Sequence, residues 1–151
     1  MAQSLSRVVV HIVFGTKNRT PYLDDQELRA RVHAYLARVL KNLGCEPILV
    51  NGTEDHVHIL CNLSRTVTLA KVVEQTKTSS SKWLKDQRDQ CRDFRWQAGY
   101  GAFSVSQSGV ESTRAYVAAQ QEHHRRVSYQ DELRALCRKH EIELDEEYAW
   151  D

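Results

Sequence analysis

The chain has 151 residues, 41% of them hydrophobic and 27% charged, which is the composition of one soluble globular domain. It contains no run of 18 apolar residues and no signal-peptide pattern at the N-terminus, so no transmembrane helix and a cytoplasmic location are expected. The net charge of +1 hides an asymmetry: residues 64–126 hold 11 Lys/Arg against 6 Asp/Glu, whereas residues 127–151 hold 3 against 8, and a basic middle of this kind suits a polyanionic partner.

Arg7 to Phe14 is a nearly continuous β-branched run and predicts a central strand, buried on at least one face. Gly15 to Pro21 reads as a loop that places Lys17 and Arg19 just past the strand end. From Asp25 to Leu43 the period becomes helical, with Leu28, Val32, Leu36, Val39 or Leu40, and Leu43 on one face, Asp24 or Asp25 as a cap at the start and Gly44 at the end. Glu46 to Val50 is a second strand. Asn51-Gly52 leads through a short hairpin connection into a third, Asp55 to Cys61. Thr68 caps a second helix that buries Leu69, Val72, Val73, Thr76, Trp83 and Leu84. Its outer face is expected to carry Lys71, Lys77, Lys82 and Lys85, with serines between them, as groups that bind phosphate oxygens without reading sequence. Asp86 to Gln97 is polar and has no clear element. Tyr100 to Ser106 alternates as a fourth strand.

Ser108 and Glu111 have capping-box spacing and open a helix of about 109–126. Its apolar stripe is thin and its polar stripe holds Thr113, Tyr116, Gln120 and His123 or His124. Such a helix is expected to lie over a site or to dock on a partner chain. An amphipathic segment, Ser128 to His140, and an acidic end follow. Cys45, Cys61, Cys91 and Cys137 form no C-x-x-C pair and are expected to be reduced thiols.

The order is β-α-β-β-α-β, which predicts an α+β, ferredoxin-like fold with a four-stranded antiparallel sheet, a C-terminal tyrosine-bearing helix and an acidic tail. One domain spans 1–151, with a core of about 5–107, the tyrosine helix at about 109–126 and the tail at 127–151. The first strand and the third should be the central pair. Strand alternation sends His56 and His58 to one face, and Val57, Ile59 and Cys61 to the other. The apolar set should face the helices, leaving the histidines on an open side of the sheet.

Two imidazoles at that spacing can converge on one divalent ion. Tyr116 and Gln120, four residues apart, share a helix face. Two imidazole nitrogens and the Gln120 amide oxygen make an incomplete shell with room for phosphate and water, a mixed set that suits Mg²⁺ or Mn²⁺ better than a closed structural zinc. A tyrosine hydroxyl is a poor nucleophile at neutral pH, but it can attack a phosphodiester polarised by a metal. A phosphotyrosine link conserves the bond energy, so a strand can be cut and later rejoined.

His56-Val57-His58 on a strand, with Tyr116-x-x-x-Gln120 on a later helix, resembles the HUH single-tyrosine transposases of the insertion-sequence-200 type. Val13 to Arg19, Gly99 to Ser106, and Glu122-His123-His124 resemble that family's first strand and loop, last strand and tyrosine-helix end. The resemblance implies action on single-stranded DNA at hairpin-marked element ends, with Tyr116 as nucleophile and His56, His58 and Gln120 as ligands of Mg²⁺ or Mn²⁺. It implies a 5′-phosphotyrosine intermediate and a free 3′-hydroxyl. It also implies a homodimer in which one subunit's tyrosine helix can complete the other's histidine pair. Lys17, Arg19, Lys71, Lys77, Lys82 and Lys85 are candidate DNA contacts by charge and placement. The competing readings are a non-cleaving single-stranded nucleic-acid-binding module, a domesticated transposase acting as a regulator, and a metalloenzyme that uses water in place of Tyr116.

Overall fold

The computed structural model describes residues 2–151. Its sheet is built from β1 (Val9–Gly15), β2 (Pro47–Gly52), β3 (His56–Asn62) and β4 (Gly101–Val105). The order is β2-β3-β1-β4 and every pairing is antiparallel. The expected central pair is therefore present: β1 and β3 lie side by side, with Val13 opposite His58 and Gly15 opposite His56.

Alternation splits the central strands between two layers. Val10, Ile12 and Phe14 of β1 join Val57, Ile59 and Cys61 of β3 in one apolar core. Over them lie α1 (Gln26–Asn42) and α2 (Leu69–Lys85). α1 buries Leu28, Val32, Leu36 and Leu40 completely, and each such side chain removed from water contributes about 1.5–3 kcal/mol. Asp25 caps α1 by accepting from Glu27 N and Leu28 N, and Thr68 caps α2 by accepting from Lys71 N.

The polar stretch after α2 is part of this core. Cys91, Phe94 and Trp96 are buried, with the Phe94 and Trp96 rings edge to face at 4.8 Å. Trp96 Nε1 donates to Ser80 Oγ at 2.9 Å. Spacing alone could not place these residues, because they lie in turns with no repeating period.

The second face is covered as well. α3 (Val110–Ala118), α4 (Gln120–His123) and α5 (Tyr129–Lys139) close over His56 and His58, both fully buried. The expectation of an open histidine face is thus overturned. The thin apolar stripe is enough for α3, which seats Val110 against Val9 and Leu60, while α5 packs Tyr129 and Leu133 on Val13 and Phe103.

The single helix expected over 109–126 is divided at Ala119 (φ −95°, ψ 17°). The side-chain amide of Asn51 on β2 donates to the carbonyls of Val117 (2.9 Å) and Ala118 (3.3 Å), which would otherwise serve the next helical turn. The capping box does not form either. Residues Gln107–Gly109 make a short 3-10 turn, and Ser108 Oγ is bonded to Ser106 Oγ. α5 has the capped start instead, with Ser128 accepting from Asp131 N.

Candidate metal and tyrosine site

The site begins with parity on two adjacent strands. His56 and His58 share a face of β3, and the antiparallel register puts His11 of β1 on the same face. α3 presents Tyr116 toward them, and α4 turns Gln120 inward until it is fully buried. Within this single chain the tyrosine helix lies against the chain's own histidine pair.

Glu132, on the first turns of α5, stands at the centre. Its carboxylate is 1% exposed. Oε1 lies 2.9 Å from His58 Nε2, 3.0 Å from His124 Nε2 and 3.3 Å from His56 Nε2. Oε2 accepts from the Tyr116 hydroxyl and, at 3.0 Å, from the Gln120 amide. Gln120 Oε1 is 3.3 Å from His56 Nε2. His123 Nε2 approaches Oε2 at 3.4 Å without forming a hydrogen bond.

The far nitrogens of the imidazoles are tied down. His56 Nδ1 is 2.7 Å from Asp55 Oδ1 and 2.9 Å from Thr53 Oγ1. His58 Nδ1 is 2.7 Å from His11 Nε2. His124 Nδ1 donates to the Val127 carbonyl at 2.6 Å. Tyr129 stacks on His56 with ring centroids 4.6 Å apart, and its hydroxyl donates to Gln97 Oε1 at 2.5 Å. Gly15 makes that stacking possible, since a Cβ there would come within 2.8 Å of the Tyr129 ring.

Electrostatics follow from this packing. Burial lowers the His56 pKa, but hydrogen bonds to Asp55 and Glu132 prevail and raise it to about 9. Burial takes His58 the other way, down to about 4, with Glu132 opposing. Glu132 is held far below the usual carboxylate range: burial works against this, and the hydrogen bonds from His124, His56 and His58 outweigh it. Tyr116 is raised above the ordinary phenol range by burial, by its bond to Glu132 and by that carboxylate's charge.

The donor set fits a divalent ion. One ligand atom each from His56, His58, His124 and Glu132 lies within 4.8 Å of the others. The protons that Oε1 accepts sit on the same Nε2 atoms that a metal would take as ligands. Beside this cluster opens a cleft of about 830 Å³, lined in part by His11, Phe103, Thr113, Tyr116, His123 and Glu132.

The sequence-derived set His56, His58, Tyr116 and Gln120 is therefore brought together. The candidate DNA contacts are scattered. Lys17 and Arg19 lie just beyond β1, at the His56 end of the sheet, in a loop where Asn18 and Arg19 have positive φ. Lys71, Lys82 and Lys85 are exposed on α2, behind the sheet from the site, and Lys71 is 3.6 Å from Glu74. Lys77 is not an outward cation. Its ammonium donates to the carbonyls of Gln97 (2.7 Å), Ala98 (3.1 Å) and Gly99 (2.8 Å) and fastens the segment before β4 to α2.

Sequence reasoning missed Glu132, His11 and Asp55. His11 had a usable signal, a histidine at the odd, site-facing positions of a β-branched strand. Glu132 had none beyond its place in an amphipathic helix. The four cysteines are free, and no helix among the described residues is long and apolar enough to cross a membrane.

The chain can now be set beside known proteins. No curated protein matches it. Among solved structures, a candidate transposase from Deinococcus radiodurans R1 superposes with a TM-score of 0.62 at 18% identity, over 80% of this chain and 95% of that one. A REP-associated tyrosine transposase bound to a REP hairpin gives a TM-score of 0.53 at 11% identity, over 78% of this chain and 68% of that one. At these identities the likeness is one of fold. The family profile of IS200-like transposases matches residues 4–120, which include both histidines of β3, Tyr116 and Gln120. On that match, the chain belongs to the IS200-like transposase family.

Proposed function

We propose that this protein is a DNA transposase that cuts and rejoins single-stranded DNA at hairpin-marked element ends through a 5′-phosphotyrosine intermediate. The observation that carries the reading is the place of the Tyr116 hydroxyl. It borders an open cleft and shares the Glu132 carboxylate with His58 and Gln120. A divalent ion at His56, His58 and Gln120, Mg²⁺ or Mn²⁺, would supply Lewis-acid polarisation of a non-bridging phosphate oxygen.

The chain's own residues do the rest. Glu132 Oε2 orients the Tyr116 hydroxyl and is the acceptor in contact as its proton leaves. Tyr116 Oη bonds to phosphorus, the bond from phosphorus to the 3′-oxygen breaks, and that oxygen takes a proton to become the free 3′-hydroxyl. Lys17 and Arg19 are the predicted cations best placed to hold a strand at the His56 end. The hairpin-bound relative supports a hairpin ligand. The reading includes a homodimer, checked by light scattering of the DNA-free protein and of the hairpin complex.

The test is covalent trapping. The protein is mixed with Mg²⁺ or Mn²⁺ and single-stranded DNA from the flanks of its own gene, then denatured, with Tyr116→Phe beside it. A protein–DNA adduct in the wild type and none in the variant supports the reading. Cleavage that persists in Tyr116→Phe means a water-using nuclease, and binding without cleavage means a binding protein or regulator.

A further inference from the structure

The Tyr116-x-x-x-Gln120 pattern puts two histidines and an amide at the metal. The structure brings two more groups to the same point, both beyond residue 120, where the family match ends. Resting on the metal-assisted reading above, we infer that the metal centre of this chain is completed by His124 Nε2 and Glu132 Oε1, beside His56, His58 and Gln120.

Three observations carry this. The first is convergence, since the ligand atoms of His56, His58, His124 and Glu132 lie within 4.8 Å of one another. The second is how each imidazole is wired. Metal-binding histidines keep the ligating nitrogen free by engaging the other one with a carboxylate, a carbonyl or a similar group. All three do so here: His56 Nδ1 on Asp55, His58 Nδ1 on His11, and His124 Nδ1 on the Val127 carbonyl. His124 is the telling case. A carbonyl only accepts, so Nδ1 carries a proton, and the proton that Nε2 shares with Glu132 is the one a metal would replace, leaving the Nε2 lone pair facing the cluster.

The third observation is the division of labour within one carboxylate. Oε1 faces the three imidazoles, and Oε2 holds Tyr116 and Gln120. Glu132 thereby links the centre to the nucleophile through a single rigid group. Among the described residues its ion-pair partners are all histidines, whereas buried carboxylates ordinarily pair with Lys or Arg or bind metal. Gln120 spans His56 Nε2 and Glu132 Oε2 and keeps the two in register.

Three imidazoles and one carboxylate are a softer set than Mg²⁺ prefers, and they favour Mn²⁺, Co²⁺ or Zn²⁺. The experiment is a Mn²⁺ titration of the full-length, DNA-free protein by electron paramagnetic resonance. Pulsed measurements on the bound ion count its imidazole nitrogens. The wild type is expected to bind Mn²⁺ with three imidazoles, and Mg²⁺ should displace it only in large excess. Glu132→Gln, which keeps the side chain's size, and His124→Ala should each bind Mn²⁺ at least about tenfold more weakly. A wild type with two imidazoles, a Glu132→Gln affinity within twofold of wild type, or no Mn²⁺ binding at all would each overturn the inference. The nitrogen count needs no variant, so misfolding of Glu132→Gln leaves the test intact. The transposase reading fails separately: a wild type that binds Mn²⁺ with three imidazoles but forms no adduct would sink that reading and keep this centre.

Discussion

The two faces of the sheet are made from the same two central strands and have opposite chemistry. One face packs Val10, Ile12, Phe14, Val57, Ile59 and Cys61 under α1 and α2. The other packs His11, His56 and His58 under α3, α4 and α5. Both are buried, but different forces hold them. The first gains from apolar area removed from water. The second must satisfy its buried polar atoms, and around Glu132 it does so for all but His123 Nε2 through one carboxylate and its ring of partners. The first face can lose a methylene at a graded cost. The second is a connected network in which one missing partner strands the others, and this is the kind of place where chemistry is held ready.

The sharpest way to test that contrast is a change that leaves structure alone and removes function. Tyr116→Phe deletes one hydroxyl at the cleft. It should abolish the covalent DNA adduct on denaturing gels while the thermal midpoint stays within a few degrees of wild type. On the apolar face the expectation reverses. Ile59→Ala should cost about 2–5 kcal/mol in urea unfolding, with adduct formation per folded molecule unchanged.

A third measurement uses pH on the apolar layer. His33 of α1 is partly buried, and its Nε2 is buried with no hydrogen-bond partner. Burial, with Arg29 adding to it, lowers its pKa to about 4. As pH falls, the unfolded chain takes up this proton first, near the ordinary value of about 6.5. The His33 contribution is therefore complete above about 6.5 and is lost as pH falls toward 4, by up to ~3 kcal/mol. His33→Leu should flatten that part of the stability–pH profile.

Smaller effects test the surface. Lys17→Ala and Arg19→Ala should each lower the salt slope of single-strand binding by about 0.7, the value for one lost phosphate contact. Lys77→Met should leave that slope unchanged and loosen the segment before β4. Ser128→Ala should cost about 1 kcal/mol through the lost α5 cap, and because α5 carries Glu132, it should also weaken Mn²⁺ binding slightly.

The sequence by itself determined the order of strands and helices, the central pairing of β1 with β3, the parity that sets His56 and His58 on one face, and the Tyr116–Gln120 helix spacing. These are local matters: period 2 in strands, 3.6 in helices, and turn residues between them. Tertiary structure alone decided the rest. It closed the histidine face, because α5 docks on Phe103 and Val13 through residues far along the chain. It divided the tyrosine helix through the Asn51 side chain, turned Lys77 inward to three carbonyls, and carried Glu132 from sequence position 132 to the centre of a cluster that begins at His11. The physical reason is the same in each case. A hydrogen bond or an ion pair depends on distance in space, and a polar residue in an amphipathic helix carries no local mark of the partner it will meet.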